Sequence, residues 1–182
     1  MSDKTSPCIL ILPVGEIDGS LKEALAYRLT ECFGDPVRIS EGTGVPGHLY
    51  RPERGQYDGE LIVNYLADLP LTAEATRILG ITECDLFSGT LRFVFGLASN
   101  TCAVVSLFRL RPERYGQASS IPLLTRRAIT EAVHEIGHTY GLSHCTDPRC
   151  AMYFSNSIVD TDRKRPDFCP AHRKILESIP SH

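Results

Sequence analysis

The run His134-Glu135-Ile136-Gly137-His138-Thr139-Tyr140-Gly141-Leu142-Ser143-His144 brings three imidazoles and a carboxylate together in eleven positions. On a helix, His134 and His138 share one face and lie about 6 Å apart along the axis, at about 1.5 Å of rise per residue. That spacing suits two ring nitrogens meeting one zinc ion at about 2.0–2.1 Å. Glu135 is too near His134 in sequence to ligate beside it, and is placed instead to hydrogen-bond a water on the metal. Gly141 lets the chain leave the helix through positive φ, so that His144 swings back as a third ligand. Three protein ligands leave one position for water, which is the arrangement of a catalytic rather than a structural zinc.

Upstream of this run the sequence predicts the strongest helix in the chain. Ser120 is its candidate cap and Pro122 its opening residue, and Ile129, Ala132, Val133, Ile136 and Tyr140 form one apolar stripe at helical spacing. Gly141 stands where a C-terminal glycine belongs. Downstream, periodicity fades. Residues 142–172 hold Pro148, Pro166 and Pro170 together with three cysteines and two histidines, a composition that asks for a metal to hold it. Cys145, Cys150, Cys169 and His172 follow a C-x4-C, then C-x2-H pattern, which fits a tetrahedral Cys3His structural zinc. Buried free thiols or a redox pair are the other readings of the cysteines, and a solvated side chain is the other reading of His172. Met152, eight residues after His144, is expected to pack as a soft apolar floor under the imidazoles. Tyr153 either approaches the metal or packs behind its ligands.

The remainder reads as alternating strands and helices. A strand is expected over Cys8–Ile17, then a helix capped near Asp18 or Ser20 with Leu21, Leu25, Leu29 and Phe33 on one face and Gly34 at its end. Val37–Ser40 reads as a second strand. Five glycines and two prolines make residues 41–59 a loop. Leu61–Leu69 and Ala73–Leu79 read as a helical stretch broken at Pro70, followed by strands over Asp85–Phe87, Leu91–Ala98 and Cys102–Leu110, the last two joined by a turn at Asn100. The expected fold class is therefore α/β or α+β, in a single domain spanning 1–182. Its N-terminal part, 1–141, carries the sheet and the metal-binding helix, and its C-terminal part, 142–182, is short, irregular and stapled by zinc.

With 182 residues the chain is long enough to bury a core without covalent staples. A formal charge of −3 argues against a general nucleic-acid binder, and no apolar run approaches a membrane span. The N-terminal apolar stretch is short and interrupted by Pro13, so it reads as a buried strand and not a signal peptide. The seven cysteines are an odd number, and four of them (Cys8, Cys32, Cys84, Cys102) are scattered, as core thiols in a reducing compartment would be. These features point to the cytoplasm. Arg163-Lys164-Arg165, flanked by Asp160, Asp162 and Asp167, reads as a solvated loop.

Residues 134–172 resemble the archaemetzincins, through HEIGHTYGLSHC, the TDPR that follows, Cys150-Ala151-Met152 and Phe168-Cys169-Pro170-Ala171-His172. The first of these strings is also the extended zinc motif of the wider metzincin clan. The resemblance implies a compact zinc metallopeptidase with a twisted, mostly parallel sheet and one antiparallel edge strand, here expected between Leu91 and Leu110. It also implies two zinc ions. The catalytic one is assigned to His134, His138 and His144 with Glu135 as general base, and the structural one to Cys145, Cys150 and Cys169, with Met152 in the Met-turn. The family pattern ends in CxxC, whereas this chain has His172 in the last position, which makes a Cys3His site of it. The expected partner is a peptide or polypeptide, with neither nucleic acid nor membrane. The competing reading is a silent or latent zinc protein that binds peptides or protein termini. Glu135 favours the enzyme, because a purely structural zinc needs no base.

Overall fold

The computed structural model describes residues 8–179. In chain order these form β1 (Ile9–Val14), α1 (Gly19–Phe33), β2 (Val37–Ile39), β3 (Tyr50–Arg51), β4 (Gln56–Asp58), α2 (Gly59–Ala67), β5 (Arg77–Thr82), β6 (Leu86–Phe87), β7 (Gly96–Ser99), β8 (Cys102–Ser106), α3 (Ile121–Thr139), α4 (Ile158–Arg163) and α5 (Pro170–Glu177). The main sheet has the order β2-β1-β5-β8-β7, and a small second sheet has the order β3-β4-β6.

In the main sheet β2, β1, β5 and β8 run parallel. Every residue of β1, β5 and β8 is buried, as expected for parallel strands covered on both faces. Alternate residues go to opposite sides. Ile9, Ile11, Leu79, Ile81, Ala103 and Val105 pack with α1 and α3, whereas Leu12, Ile78 and Val104 pack with Ile62, Val63 and Leu66 of α2. β7 then pairs antiparallel with β8, with Gly96 opposite Val105 and Ser99 opposite Cys102. Asn100, at φ +53°, makes the tight turn between them. The result is the mixed sheet with an antiparallel edge that the sequence led us to expect.

Several local expectations differ from what is found, and the strands expected over Cys8–Ile17 and Cys102–Leu110 end earlier, at Val14 and Ser106. Ala73–Leu79 does not continue a helix, because Arg77–Thr82 is the central strand β5, hydrogen-bonded to β1 on one side and β8 on the other. A short apolar run has no period long enough to decide between helix and strand, and its neighbours decide. Residues 41–59 are not all loop and contain β3 and β4, whose hairpin supports β6. Of Leu91–Ala98, only Gly96 onward joins the main sheet, and Val94 bridges back to Leu86 instead. The segment after Gly141 carries two short helices, α4 and α5, that periodicity did not reveal.

The helix α3 is capped as expected, with the Ser120 hydroxyl accepting from the Leu123 N–H at 3.3 Å. Ala128, Ala132, Val133 and Ile136 bury its apolar face. Its opposite face is covered as well, burying Arg127, Glu131, His134 and Glu135. Among the described residues no helix is long and apolar enough to cross a membrane.

Candidate metal centres and active-site cleft

The three histidines of the motif meet at the C-terminal end of α3. Gly141 takes φ +82° just beyond the helix and turns the chain back, and candidate ligand atoms of His134, His138 and His144 all lie within 4.8 Å of one another. The tautomers follow from the partners. His134 Nδ1 is 2.8 Å from the Ala151 carbonyl oxygen and His138 Nδ1 is 2.8 Å from that of Leu142. A carbonyl only accepts, so both Nδ1 atoms carry the proton and both Nε2 atoms present bare lone pairs. Those two Nε2 atoms face one another at 3.1 Å. Two lone pairs at that distance repel unless a cation lies between them. Two nitrogens on a tetrahedral zinc would be about 3.3 Å apart, so the pair is set for a metal.

Burial disfavours the imidazolium at all three sites. It pulls His134 well below the ordinary histidine range and lowers His138 and His144, with Lys164 and the neighbouring imidazoles adding to the effect. The rings therefore stay neutral, as metal ligands must. The sign of the resulting pH dependence is fixed. Below about pH 6.5 the unfolded chain binds protons that the folded rings refuse, so the stability present above that pH is lost as pH falls toward the depressed folded values. The raised carboxyl of Glu135 takes up a proton on folding and opposes this trend, so metal-free Glu135→Gln protein isolates the imidazoles: its unfolding free energy, and with it the urea midpoint, should fall between pH 7 and 5, by at most about 1.4 kcal/mol per pH unit for each imidazole. A midpoint that does not move over that interval would show the rings to be freely protonated.

Glu135 and His134 line a cleft of about 260 Å³ with Glu131, the segment Leu91–Gly96 and Phe154–Asn156. Glu135 is 5% exposed, and burial together with the neighbouring Glu131 carboxylate pushes its carboxyl well above the usual range, with Lys164 opposing. The side chain lies against the backbone of Gly96: a Cβ there would stand 2.7 Å from Glu135 Cγ and 2.7 Å from the Val104 carbonyl oxygen. Met152 is fully buried beneath the helix, where a Cβ on Gly137 would stand 2.5 Å from its sulfur. Its carbonyl accepts from the Cys145 N–H at 2.9 Å. The turn that carries Met152 is therefore tied both to His134, through Ala151, and to the residue after His144. Tyr153 forms a backbone bridge with Cys145 and is not part of the cleft lining. Phe154, which the sequence did not single out, lines the cleft and sets its ring 5.0 Å from that of His144.

The second cluster assembles next door. One ligand atom from each of Cys145, Cys150, Cys169 and His172 falls within 4.8 Å of the others. His172 Nε2 is 3.0 Å from the Ser143 carbonyl oxygen, which places the proton on Nε2 and leaves Nδ1 bare, 3.4 Å from Cys169 Sγ. Backbone N–H groups of Asp147 and Cys169 donate to the sulfurs of Cys145 and Cys150 at 3.4 and 3.3 Å, while burial pushes the Cys150 thiol up to about 12, an opposition that a cation at the cluster would relieve. Burial alone would push the Cys169 thiol up, but hydrogen bonds from the His172 backbone N–H and the neighbouring cysteines bring it down to about 7. The donor set and its hydrogen bonds fit a structural zinc.

Residues 34–178 match the model of peptidase family M54. The archaemetzincin of Thermococcus kodakarensis is 40% identical over 179 residues, covering 94% of this chain and 96% of that one. The chain belongs to peptidase family M54, the archaemetzincins. The crystal structure of the Methanopyrus kandleri archaemetzincin superposes with a TM-score of 0.84 at 31% identity, covering 95% of this chain and 94% of that one. A zinc-dependent peptidase from Methanocorpusculum labreanum superposes with a TM-score of 0.82 at 31% identity, covering 92% and 99%. This M54 member is thus a zinc metallopeptidase by family, and its fold is that of the archaemetzincins.

Arg163-Lys164-Arg165 corrects the sequence reading of this M54 chain. Lys164 is not solvated but fully buried, with its ammonium 3.0 Å from Glu131 Oε1. No local signal marks it, because its partner is 33 positions away.

Proposed function

We propose that His134 and His138, through Nε2, and His144 hold the catalytic zinc, and that Glu135 is the general base of peptide-bond hydrolysis. Cys145, Cys150, Cys169 and His172, the last through Nδ1, hold a second, structural zinc. The observation that carries the reading is the pair of bare Nε2 atoms facing each other beside a third imidazole, in the cleft that Glu135 lines. When bound, the catalytic zinc supplies a Lewis acid that acidifies a water and polarises the scissile carbonyl.

The chain's own residues do the rest. Glu135 takes the proton of the attacking water and returns it to the nitrogen of the departing amine. Its buried setting raises its proton affinity, which suits a group that must accept and then release a proton near neutral pH. The rim Leu91–Gly96, beside the sheet edge β7, offers main-chain groups to an extended peptide. Met152 supports the helix at Gly137 and keeps the ligands in register. The whole chain acts as one peptidase domain, with the cleft bounded by its 1–141 and 142–182 parts. The free cysteines support a reducing, cytoplasmic setting.

The direct test is a diverse peptide mixture treated with zinc-loaded protein and read by mass spectrometry beside a Glu135 variant. Cuts made by wild type alone establish the peptidase. Their absence with zinc bound favours a binding protein. Gly96→Ala probes the seat of Glu135 separately. With a backbone oxygen and Glu135 both inside contact distance of the new Cβ, the carboxylate must shift, and kcat/KM is expected to fall about 10-fold to 100-fold with zinc content unchanged. Wild-type kinetics for Gly96→Ala would show that the position of Glu135 is not critical.

A further inference from the structure

The proposed mechanism does not use one buried charged group, Lys164. Its side chain is fully buried, and its Nζ lies 3.0 and 3.1 Å from the two carboxylate oxygens of Glu131. Glu131, itself 2% exposed, also accepts from the Thr161 hydroxyl at 2.7 Å and the Ser155 hydroxyl at 3.2 Å. All of these donors come from residues 155–164, which continue the segment after Met152 that lines the cleft with Phe154–Asn156. Glu131 stands one helical turn before Glu135 on α3 and lines the same cleft. A buried ion pair loses the hydration of both charges and is often no more stable than an apolar pair of equal volume. Net stability therefore does not explain this pair. It provides direction instead, because hydrogen bonds of fixed geometry locate the wall relative to the helix where apolar contact would let it slide.

Resting on the peptidase reading of this cleft, we propose that Lys164 and Glu131 are positioning residues for substrate. Their buried pair holds Phe154–Asn156 at a set distance from the opposite rim, Leu91–Gly96, and so fixes the width of the cleft beside Glu135. The substrate class follows from the lining. Phe93, Val94, Phe95 and Phe154 supply apolar contact, and the carboxylate of Glu131 is neutralised by Lys164. Arg92 also lines the cleft but is exposed at its rim, so the interior takes a bulky uncharged side chain next to the scissile bond.

The test uses full-length, zinc-loaded protein carrying Glu131→Gln with Lys164→Met, which removes both charges at nearly constant volume. Arg127, 1% exposed and bonded to Asp162 at 2.8 and 2.7 Å, keeps α4 docked independently of the pair. The expected result is a folded double variant with wild-type zinc content. Its KM for peptides with a bulky uncharged side chain should rise 10-fold or more while kcat changes less than 3-fold. Hydrogen exchange of amides 154–160 should quicken at least 10-fold, since the wall opens locally. Wild-type KM and cleavage preference in the double variant would overturn the proposal. So would kcat falling in step with zinc content or folded fraction, which marks a purely structural pair. If wild type cleaves no peptide, the peptidase reading fails on its own. Exchange at 154–160 then decides the positioning role, with unchanged rates overturning it.

Discussion

Glu135→Gln is expected to keep its zinc and its fold and to lose about 10² to 10⁴-fold in kcat, or about 3–5 kcal/mol of transition-state stabilisation. Gln occupies the same space over Gly96, so the packing that seats the side chain is retained. What disappears is the capacity to take a proton from water. Stability should hold or rise slightly, because a buried carboxylate with raised proton affinity is replaced by a neutral amide. Three readouts separate the possible results: turnover of a quenched fluorescent peptide, zinc per chain by elemental analysis, and Tm. Turnover at the wild-type rate would remove Glu135 from the chemistry. Loss of zinc with activity would make its role structural.

Removal of the proposed second zinc should do more to the fold. Cys150 is 1% exposed and belongs to the main core together with Ala151, Met152 and Phe168. Its sulfur accepts from the Cys169 N–H, and the cluster ties residues 145, 150, 169 and 172 to one point. Cys150→Ser is expected to lose one zinc and at least about 3 kcal/mol of stability, since a structural zinc contributes folding energy directly. For a chain of this size that is roughly a 10 °C fall in Tm. Activity should fall as well. Cys145 follows His144 directly and its N–H binds the Met152 carbonyl, so a loosened cluster displaces both the third histidine and the turn beneath it. His134→Ala is the matching control, and should lose the catalytic zinc while keeping the second. Loss of both metals in His134→Ala would show the two centres to be one cooperative unit, and an unchanged Tm in Cys150→Ser would show that the second site does not carry the fold.

The candidate metal sites were largely legible because their geometry is local. His134 and His138 are set by helix spacing, and His144 by one positive-φ glycine, so few long-range contacts are needed to bring them together. The cap at Ser120 and the buried stripe through Ile136 were legible for the same reason. The central strand β5 was not. Residues 73–79, AEATRIL, place their large apolar side chains only at Ile78 and Leu79, too few to show a period, and pairing with β1 and β8 makes 77–82 a strand. Gly80 within it lies where a Cβ would stand 2.4 Å from Leu66 Cδ1, so helix α2 packs directly onto the strand backbone, a constraint invisible along the chain.

By itself, then, the sequence determined the candidate ligand sets, the carboxylate beside the first of them and the α/β class, since these depend on residue type and on spacings of a few positions. Tertiary structure alone decided which backbone supports Glu135, which wall Phe154 belongs to, and that Lys164, set among charged neighbours, is driven inside to meet Glu131. Those outcomes depend on partners tens of residues away. A buried charge finds its counter-charge only after the helix and the returning chain have packed together, and no local pattern in the sequence records that meeting.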